Sequence, residues 1–275
     1  MLKKIKELFI PQQLLKGNCG IEREMLRVDK NGYLSFTDHP EIFGDKVLNP
    51  YITTDFSESQ VEVITPALDK IEETYSFLKA LYDIVALEIG DEILWPQSMP
   101  CFIPEDDEIP VAKYSEEGRE AEEYRNKLLK KYGGKKQLIS GIHYNYSFNE
   151  EIIRKLYESS DKELTYKEYK NSIYLKVARN YLRYRWIIVY LLGAAPVIHE
   201  SFLNGCSCKL KQISEDGYTL DGAVSHRNGE CGYRNKEELY PNYDTVEDYV
   251  ESINKYVNDG VIDSHKELYS QVRLK

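Results

Sequence analysis

The sequence predicts an α+β fold, because short strand-like blocks alternate irregularly with long helical ones and form no repeating βαβ rhythm. Residues 21–28, 60–64 and 139–148 have strand character, the first and last alternating polar and apolar side chains in a strand's two-residue period. Residues 70–89, 116–132 and 166–192 carry helix signals instead. With 275 residues the chain can bury a sizeable core, and no shift of composition marks a boundary, so one domain over 1–275 is expected.

The first strand runs Gly20-Ile21-Glu22-Arg23-Glu24-Met25-Leu26-Arg27-Val28, which places Glu22 and Glu24 on one face and Ile21, Arg23 and Met25 on the other. Thr53-Thr54-Asp55-Phe56 leads into Glu58-Ser59-Gln60-Val61-Glu62-Val63-Ile64, where Glu62 opposes Val61 and Val63. From Lys70 to Ile89, the residues Ile71, Tyr75, Leu78, Tyr82, Val85 and Ile89 recur at steps of four and three, one face of a helix. Four prolines and the run Glu105-Asp106-Asp107-Glu108 make the stretch from Trp95 to Pro110 a surface loop. The next helix, from about Glu116 to Tyr132, stops at Gly133-Gly134, which a helix C-cap explains without invoking a phosphate loop. In the strand 139–148, Ile142, Tyr144, Tyr146 and Phe148 form an apolar face, while Gly141, His143, Asn145 and Ser147 form a small, polar one. The helix from about Tyr166 to Leu192 is rich in Tyr and Arg early and apolar late, so its last turns are expected to be buried. After Cys206 the chain is turn-rich until a last helix from about Thr245 to Asn258.

A net charge of −10 argues against nucleic acid as a partner, since neutralising phosphates needs clustered Lys and Arg. A nucleotide substrate stays open, because a bound divalent metal supplies positive charge locally. The five cysteines (Cys19, Cys101, Cys206, Cys208 and Cys231) are odd in number, and the N-terminus lacks an uninterrupted apolar stretch of the secretory kind. Free thiols in a reducing cytoplasm are expected, and the lone Cys206-Ser207-Cys208 is a weak zinc signal. The apolar run from Trp186 to Ile198 is too short to span a bilayer and is broken by Gly193 and Pro196, so no membrane span is expected. No G-x-x-x-x-G-K-[ST] or G-x-G-x-x-G pattern occurs, and no Ser-His-Asp or Cys-His arrangement has a local signature.

Glu22 and Glu24, about 7 Å apart along a strand, repel by roughly 2–3 kcal/mol at an effective dielectric near 20. A cation between them turns that cost into a gain. Arg23 points to the other face and cannot pair with either glutamate. The competing readings are a solvent-washed strand face and neutralisation by Arg23 or Arg27 from neighbouring strands. Four acids and a histidine in separate blocks, Glu22, Glu24, Asp55, Glu62 and His143, favour a metal cluster. Oxygen-rich ligation suits Mg2+ or Mn2+, and His143 either favours Mn2+ or touches a phosphate instead. Asn145 shares its face and is a candidate substrate contact. Arg125, beside Tyr124 on a helix, is a surface charge or a site group. Arg227, in Ser225-His226-Arg227-Asn228-Gly229, lies in a loop where a planar guanidinium could clamp a carboxylate.

Four blocks in order, Gly20-Ile21-Glu22-Arg23-Glu24 through Arg27-Val28, Ile52-Thr53-Thr54-Asp55-Phe56, Trp95-Pro96 through Ser98-Met99-Pro100-Cys101, and Ile139-Ser140-Gly141-Ile142-His143-Tyr144-Asn145, closely resemble the bacterial glutamate–cysteine ligases, including the ligase module of bifunctional glutathione synthases. The resemblance runs from about Gly17 to the C-terminus. It implies a glutamine-synthetase-like fold, a curved antiparallel sheet forming a funnel with helices outside. It implies metal ligands at Glu22, Glu24, Asp55, Glu62 and His143, with Arg125 near the ATP phosphates and Arg227 on the glutamate. Phe56, Tyr124, Gln137, Tyr233 and Tyr269 would line the cysteine pocket. The implied activity is ATP-dependent ligation of L-glutamate to L-cysteine with Mg2+ or Mn2+. Family members continue past the equivalent of Arg273 into a Glu-x-Arg strand that completes the site, whereas this chain stops at Lys275. The resemblance therefore also admits a fragment, a shortened homologue, or a partner-dependent subunit completed by a second polypeptide or by self-association. A carboxylate–amine ligase using another amine is the further alternative.

Overall fold

The structure, a computed structural model, describes residues 2–206, 208–232 and 239–262, so the expectations placed on Tyr233 and Tyr269 lie outside the described residues. Along the chain run α1 (Leu2–Leu8), α2 (Pro11–Leu14), β1 (Gly17–Val28), β2 (Ile52–Thr54), β3 (Gln60–Ile64), α3 (Ile71–Glu88), β4 (Ile93–Leu94) and α4 (Arg119–Tyr132). They are followed by β5 (Ile142–Phe148), α5 (Glu150–Glu158), α6 (Tyr166–Leu192), β6 (Ile198–His199), β7 (Lys211–Gln212), β8 (Gly217–Thr219) and α7 (Val246–Asn258). The architecture is α+β, with antiparallel strand pairs and helices interspersed irregularly among them along the chain. The chain divides into two compact units: residues 17–147 with 193–234, and residues 1–16 with 148–192 and 235–275.

The first of these units is built on a sheet of order β2-β3-β1-β4, with β5 also paired to β1. β1 and β3 run antiparallel with Glu24 opposite Glu62 and Met25 opposite Val61. The two-residue period then sorts the sheet. Met25, Val61, Val63 and Ile52 face Leu78, Leu81, Val85 and Ile89 of and beside α3 in one buried cluster, while the acids face the other way. A one-residue slip would bury the acids under α3, so this pattern sets the register. The buried stripe of α3 is Thr74, Leu78, Leu81 and Val85, rotated from the expected one: Ile71 and Tyr75 are exposed. Tyr82 instead packs at the cluster's margin, where the Arg23 guanidinium stacks 5.2 Å from its ring centroid.

Beneath the acid face, Leu26 and Val28 of β1 join Phe56, Met99, Cys101, Leu138, Ile139, Phe202 and Cys231 in a second core. Cys206 and Cys231 are joined as a disulfide, against the expectation of five free thiols, whereas Cys19, Cys101 and Cys208 are free. The cause is topological: the loop of residues 225–232 lies against the chain just after the 3-10 helix Glu200–Gly205, a contact that spacing along the chain does not reveal.

In the other unit, α5 begins at Asn149, whose side chain accepts the Glu151 N–H at 2.9 Å, and α7 at Thr245, which accepts that of Asp248 at 3.0 Å. α6 buries Ile173, Leu175 and Ala178. Its last turns, expected to be buried, are exposed instead, with Trp186 at 64% and Leu192 at 73%. Burial follows what packs opposite a helix, not its own apolarity. No helix among the described residues is long and apolar enough to cross a membrane.

Candidate metal and substrate site

The acid face begins with the sheet register. Glu62 stands directly across from Glu24 on β1 and from Thr53 on β2. Two carboxylates as a cross-strand pair are a destabilising choice unless something positive joins them. β5 closes the other flank: Glu24 N–H donates to the Gly141 carbonyl at 3.0 Å, and Gly141 N–H donates to Glu24 Oε2 at 2.7 Å. His143 then lies with Nδ1 3.2 Å from Glu22 Oε2 and Nε2 3.7 Å from Glu24 Oε1. Asn145 Nδ2 donates to Glu22 Oε1 at 2.9 Å. One donor atom each from Glu22, Glu62 and His143 lie within 4.8 Å of one another.

The charges are unsettled in a telling way. Burial, then Asp55, Glu24 and Glu22, push the Glu62 carboxyl up to about 8. Burial and then Asp55 push Glu24 up to about 7, against the opposing pull of His143 and Arg227. The hydrogen bond to Glu22 raises His143. Carboxylates that burial and one another's charge raise toward neutral pH form a site that a divalent cation would relieve. The donor set, carboxylate oxygens with one imidazole nitrogen, fits a hard or borderline divalent ion. Arg23 does not neutralise the acids, since it faces Tyr82; Arg27 is taken up elsewhere, donating to Glu92 Oε2 at 2.6 Å.

A second buried carboxylate shows the contrast. Glu58 is 2% exposed and ion-pairs with Lys46. It accepts backbone N–H bonds from Lys113 at 2.6 Å and His39 at 2.9 Å. Burial raises its carboxyl, but Lys46 and the two N–H donors overcome that and hold it below the ordinary value.

Arg125 on α4 reaches this region through Nε, which donates to the Asp55 carbonyl. Its guanidinium lies 4.8 Å from the Tyr114 ring centroid, and Tyr114 OH donates to the Thr54 carbonyl at 3.1 Å. Arg227 NH1 donates to the Ile139 carbonyl at 3.1 Å, and its guanidinium fills the space that a side chain at Gly141 would need. It is near enough to Glu24 and His143 to lower both titrations. Phe56 and Tyr124 share the core below the acids, and Gln137 is buried on the 3-10 turn Lys135–Leu138 that leads into Ser140-Gly141.

Two residues escape sequence reasoning. Gln60, fully buried, accepts the Phe56 N–H at 3.2 Å and donates to Ser140 Oγ at 3.2 Å, tying the Asp55-Phe56 turn to the start of β5. Its parity with Glu62 on β3 is a signal that could have found it. Tyr114 carries no such signal, because it acts from a loop.

The sequence model of the glutamate–cysteine ligase family matches residues 2–261. The chain belongs to that family. The glutathione biosynthesis bifunctional protein of Clostridium perfringens is 46% identical over 277 residues, spanning 100% of this chain and 35% of that protein. The crystal structure of a bifunctional glutathione synthetase from Pasteurella multocida superposes with a TM-score of 0.83 at 36% identity, over 96% of this chain and 33% of that one. That of the glutamate–cysteine ligase of Francisella tularensis in complex with AMP gives 0.82 at 30% identity, over 94% of this chain and 56% of that one. The chain thus spans about a third of the length of its bifunctional relatives.

Proposed function

We propose that the chain carries the nucleotide, metal and amino-acid site of a glutamate–cysteine ligase, joining the γ-carboxylate of L-glutamate to the amine of L-cysteine at the expense of ATP. The observation that carries this reading is the carboxylate–imidazole cluster of Glu22, Glu24, Glu62 and His143, in which burial and neighbouring charge raise Glu24 and Glu62 and which opens at His143, in a chain of that family. Together with Asp55, these residues would hold Mg2+ or Mn2+, which supplies charge neutralisation for phosphate oxygens. The sheet we read as one wall of a glutamine-synthetase-like funnel.

The chain's own groups divide the work. Arg125, fixed on the Asp55 carbonyl and the Tyr114 face, presents positive charge for the ATP phosphates. Arg227, braced on Ile139 and Gly141, offers a planar fork to a carboxylate of glutamate. Asn145, held on Glu22, would make a further substrate contact, and we assign Phe56, Tyr124 and Gln137 to the cysteine by the family resemblance. The glutamate γ-carboxylate attacks the γ-phosphorus to give an acyl phosphate and ADP; the cysteine amine then displaces phosphate. No protein nucleophile takes part, so catalysis is positioning plus charge stabilisation.

A second reading, a subunit that binds metal and nucleotide but needs a further polypeptide for turnover, is favoured by the exposed Ile142 (68%) and Tyr144 (57%) on β5. ADP release from Mg-ATP, L-glutamate and L-cysteine, omitting each in turn, separates the two. Release that needs both amino acids supports the ligase. No release with Mg-ATP still bound supports the partner-dependent subunit, and absence of both binding and release contradicts the two readings together.

A further inference from the structure

Three cysteines that the proposed reaction does not use meet at one place. Cys231 is fully buried and disulfide-bonded to Cys206, and the free thiol of Cys208 lies with its Sγ 3.3 Å from the Cys231 Sγ. Cys206 and Cys208 are both half-buried, so the cluster has a solvent side and a core side. A thiol in contact with a disulfide sulfur is the starting arrangement for exchange, in which a thiolate attacks one sulfur and expels the other.

We propose that Cys206, Cys208 and Cys231 form a thiol–disulfide exchange site that sets the position of Arg227. The step balances within the chain. Cys208 gives up its proton and its sulfur bonds to Cys231, the Cys206–Cys231 bond breaks, and Cys206 leaves as a thiolate that takes up a proton. No electrons are gained or lost. A low-molecular-weight thiol entering from the solvent side resolves either pairing by the same attack, twice over, and leaves all three cysteines reduced while the small thiol is oxidised to its disulfide.

The link to Arg227 is the short loop that ends at Cys231. Its beginning is anchored by His226, whose N–H donates to the Ala195 carbonyl at 2.8 Å. Inside the loop, Gly229 N–H donates to the His226 carbonyl at 3.1 Å and Gly232 N–H to the Gly229 carbonyl at 3.1 Å. A Cβ at Gly232 would run into the Arg227 carbonyl, so the two backbones are in close contact. The sulfur of Cys231 is therefore the covalent tether of a tight loop whose protruding side chain is Arg227. Moving the tether from Cys206 to Cys208, or releasing it, changes the restraint on that loop. The site goes beyond the ligase reading and stands without it, since neither of its readouts needs a substrate.

The test uses the full chain, oxidised with diamide, trapped with N-ethylmaleimide and mapped for disulfide-linked peptides. Wild type is expected to hold both the Cys206–Cys231 and Cys208–Cys231 linkages, Cys208→Ser the first alone, and Cys206→Ser the second. Native-state trypsin cleavage after Arg227 is then timed with and without dithiothreitol. Reduction is expected to speed it severalfold in wild type and to leave Cys231→Ser, already untethered, unchanged. Absence of the Cys208–Cys231 linkage from both wild type and Cys206→Ser would overturn the exchange. Cleavage after Arg227 that ignores reductant in wild type would overturn the coupling.

Discussion

Glu58 is buried in the turn that leads into β3 and Glu62 is half-buried on that strand four residues later, yet their surroundings treat them in opposite ways. Glu58 meets Lys46 and two backbone N–H donors, and is held ionised below the ordinary range. Glu62 meets burial and three other carboxylates, and is held up to about 8. One is a finished structural contact, complete within the chain. The other is crowded by burial and like charge, with only His143 pulling the opposite way, and a bound cation would relieve it. The difference teaches how to tell a buried acid that stabilises a fold from one that waits for a ligand: ask whether the nearest charges have the opposite sign or the same sign.

Mutation should separate the two most sharply. Glu58→Gln breaks a buried ion pair and leaves Lys46 uncompensated, so it is expected to destabilise the chain by roughly 3 kcal/mol in urea unfolding at pH 7. Glu62→Gln should do the reverse without metal. Each unit of raised pKa corresponds to about 1.4 kcal/mol, and allowing for partial exposure a stabilisation of about 2 kcal/mol at pH 8 is expected. A metal-free Glu62→Gln chain less stable than wild type at pH 8 would erase the distinction.

The pH dependence sharpens the comparison. Glu24 and Glu62 have folded values above their unfolded 4.5, so the folded chain binds more protons and stability falls as pH rises from about 4.5 to about 8. The raised His143 acts in the same direction, its contribution being present below 6.5 and lost as pH rises through the higher folded value. The lowered Glu58 acts at the other end, stabilising above 4.5 and losing that effect as pH falls through its folded value. Melting curves of the metal-free chain should therefore decline from pH 5 to 8, and Mn2+ should restore stability at pH 8 but much less at pH 5.5, where protons compete for its ligands.

The smallest expected effect belongs to Tyr114. Tyr114→Leu removes the ring under Arg125, worth about 1 kcal/mol, and should raise the KM for ATP about fivefold while Tyr114→Phe, which keeps the ring, changes it little. Equal effects of the two variants would place the role in the hydroxyl bond to Thr54 instead.

Much of this was legible because it is local. A two-residue period decides which side of a strand a glutamate takes, and the structure has β3 over Gln60–Ile64 and α6 over Tyr166–Leu192, the spans read from the sequence. The grouping of Glu22, Glu62 and His143 follows from that parity once the strands pair. What local pattern could not carry was contact between distant segments. The rotation of the α3 stripe depends on where the sheet presses on it, and the exposed end of α6 on what lies opposite it. The Cys206–Cys231 pairing depends on two loops meeting in space, and the seat of Arg125 on Tyr114 on a loop meeting α4.

The most direct test is calorimetric titration of Mn2+ into the purified chain at pH 8, in two buffers of different ionisation heat, with Glu62→Gln alongside. Saturable binding to wild type that releases protons, and its loss in Glu62→Gln, is the result predicted for an acid face built around a cation. No saturable binding to wild type, or binding unchanged by Glu62→Gln, would contradict it.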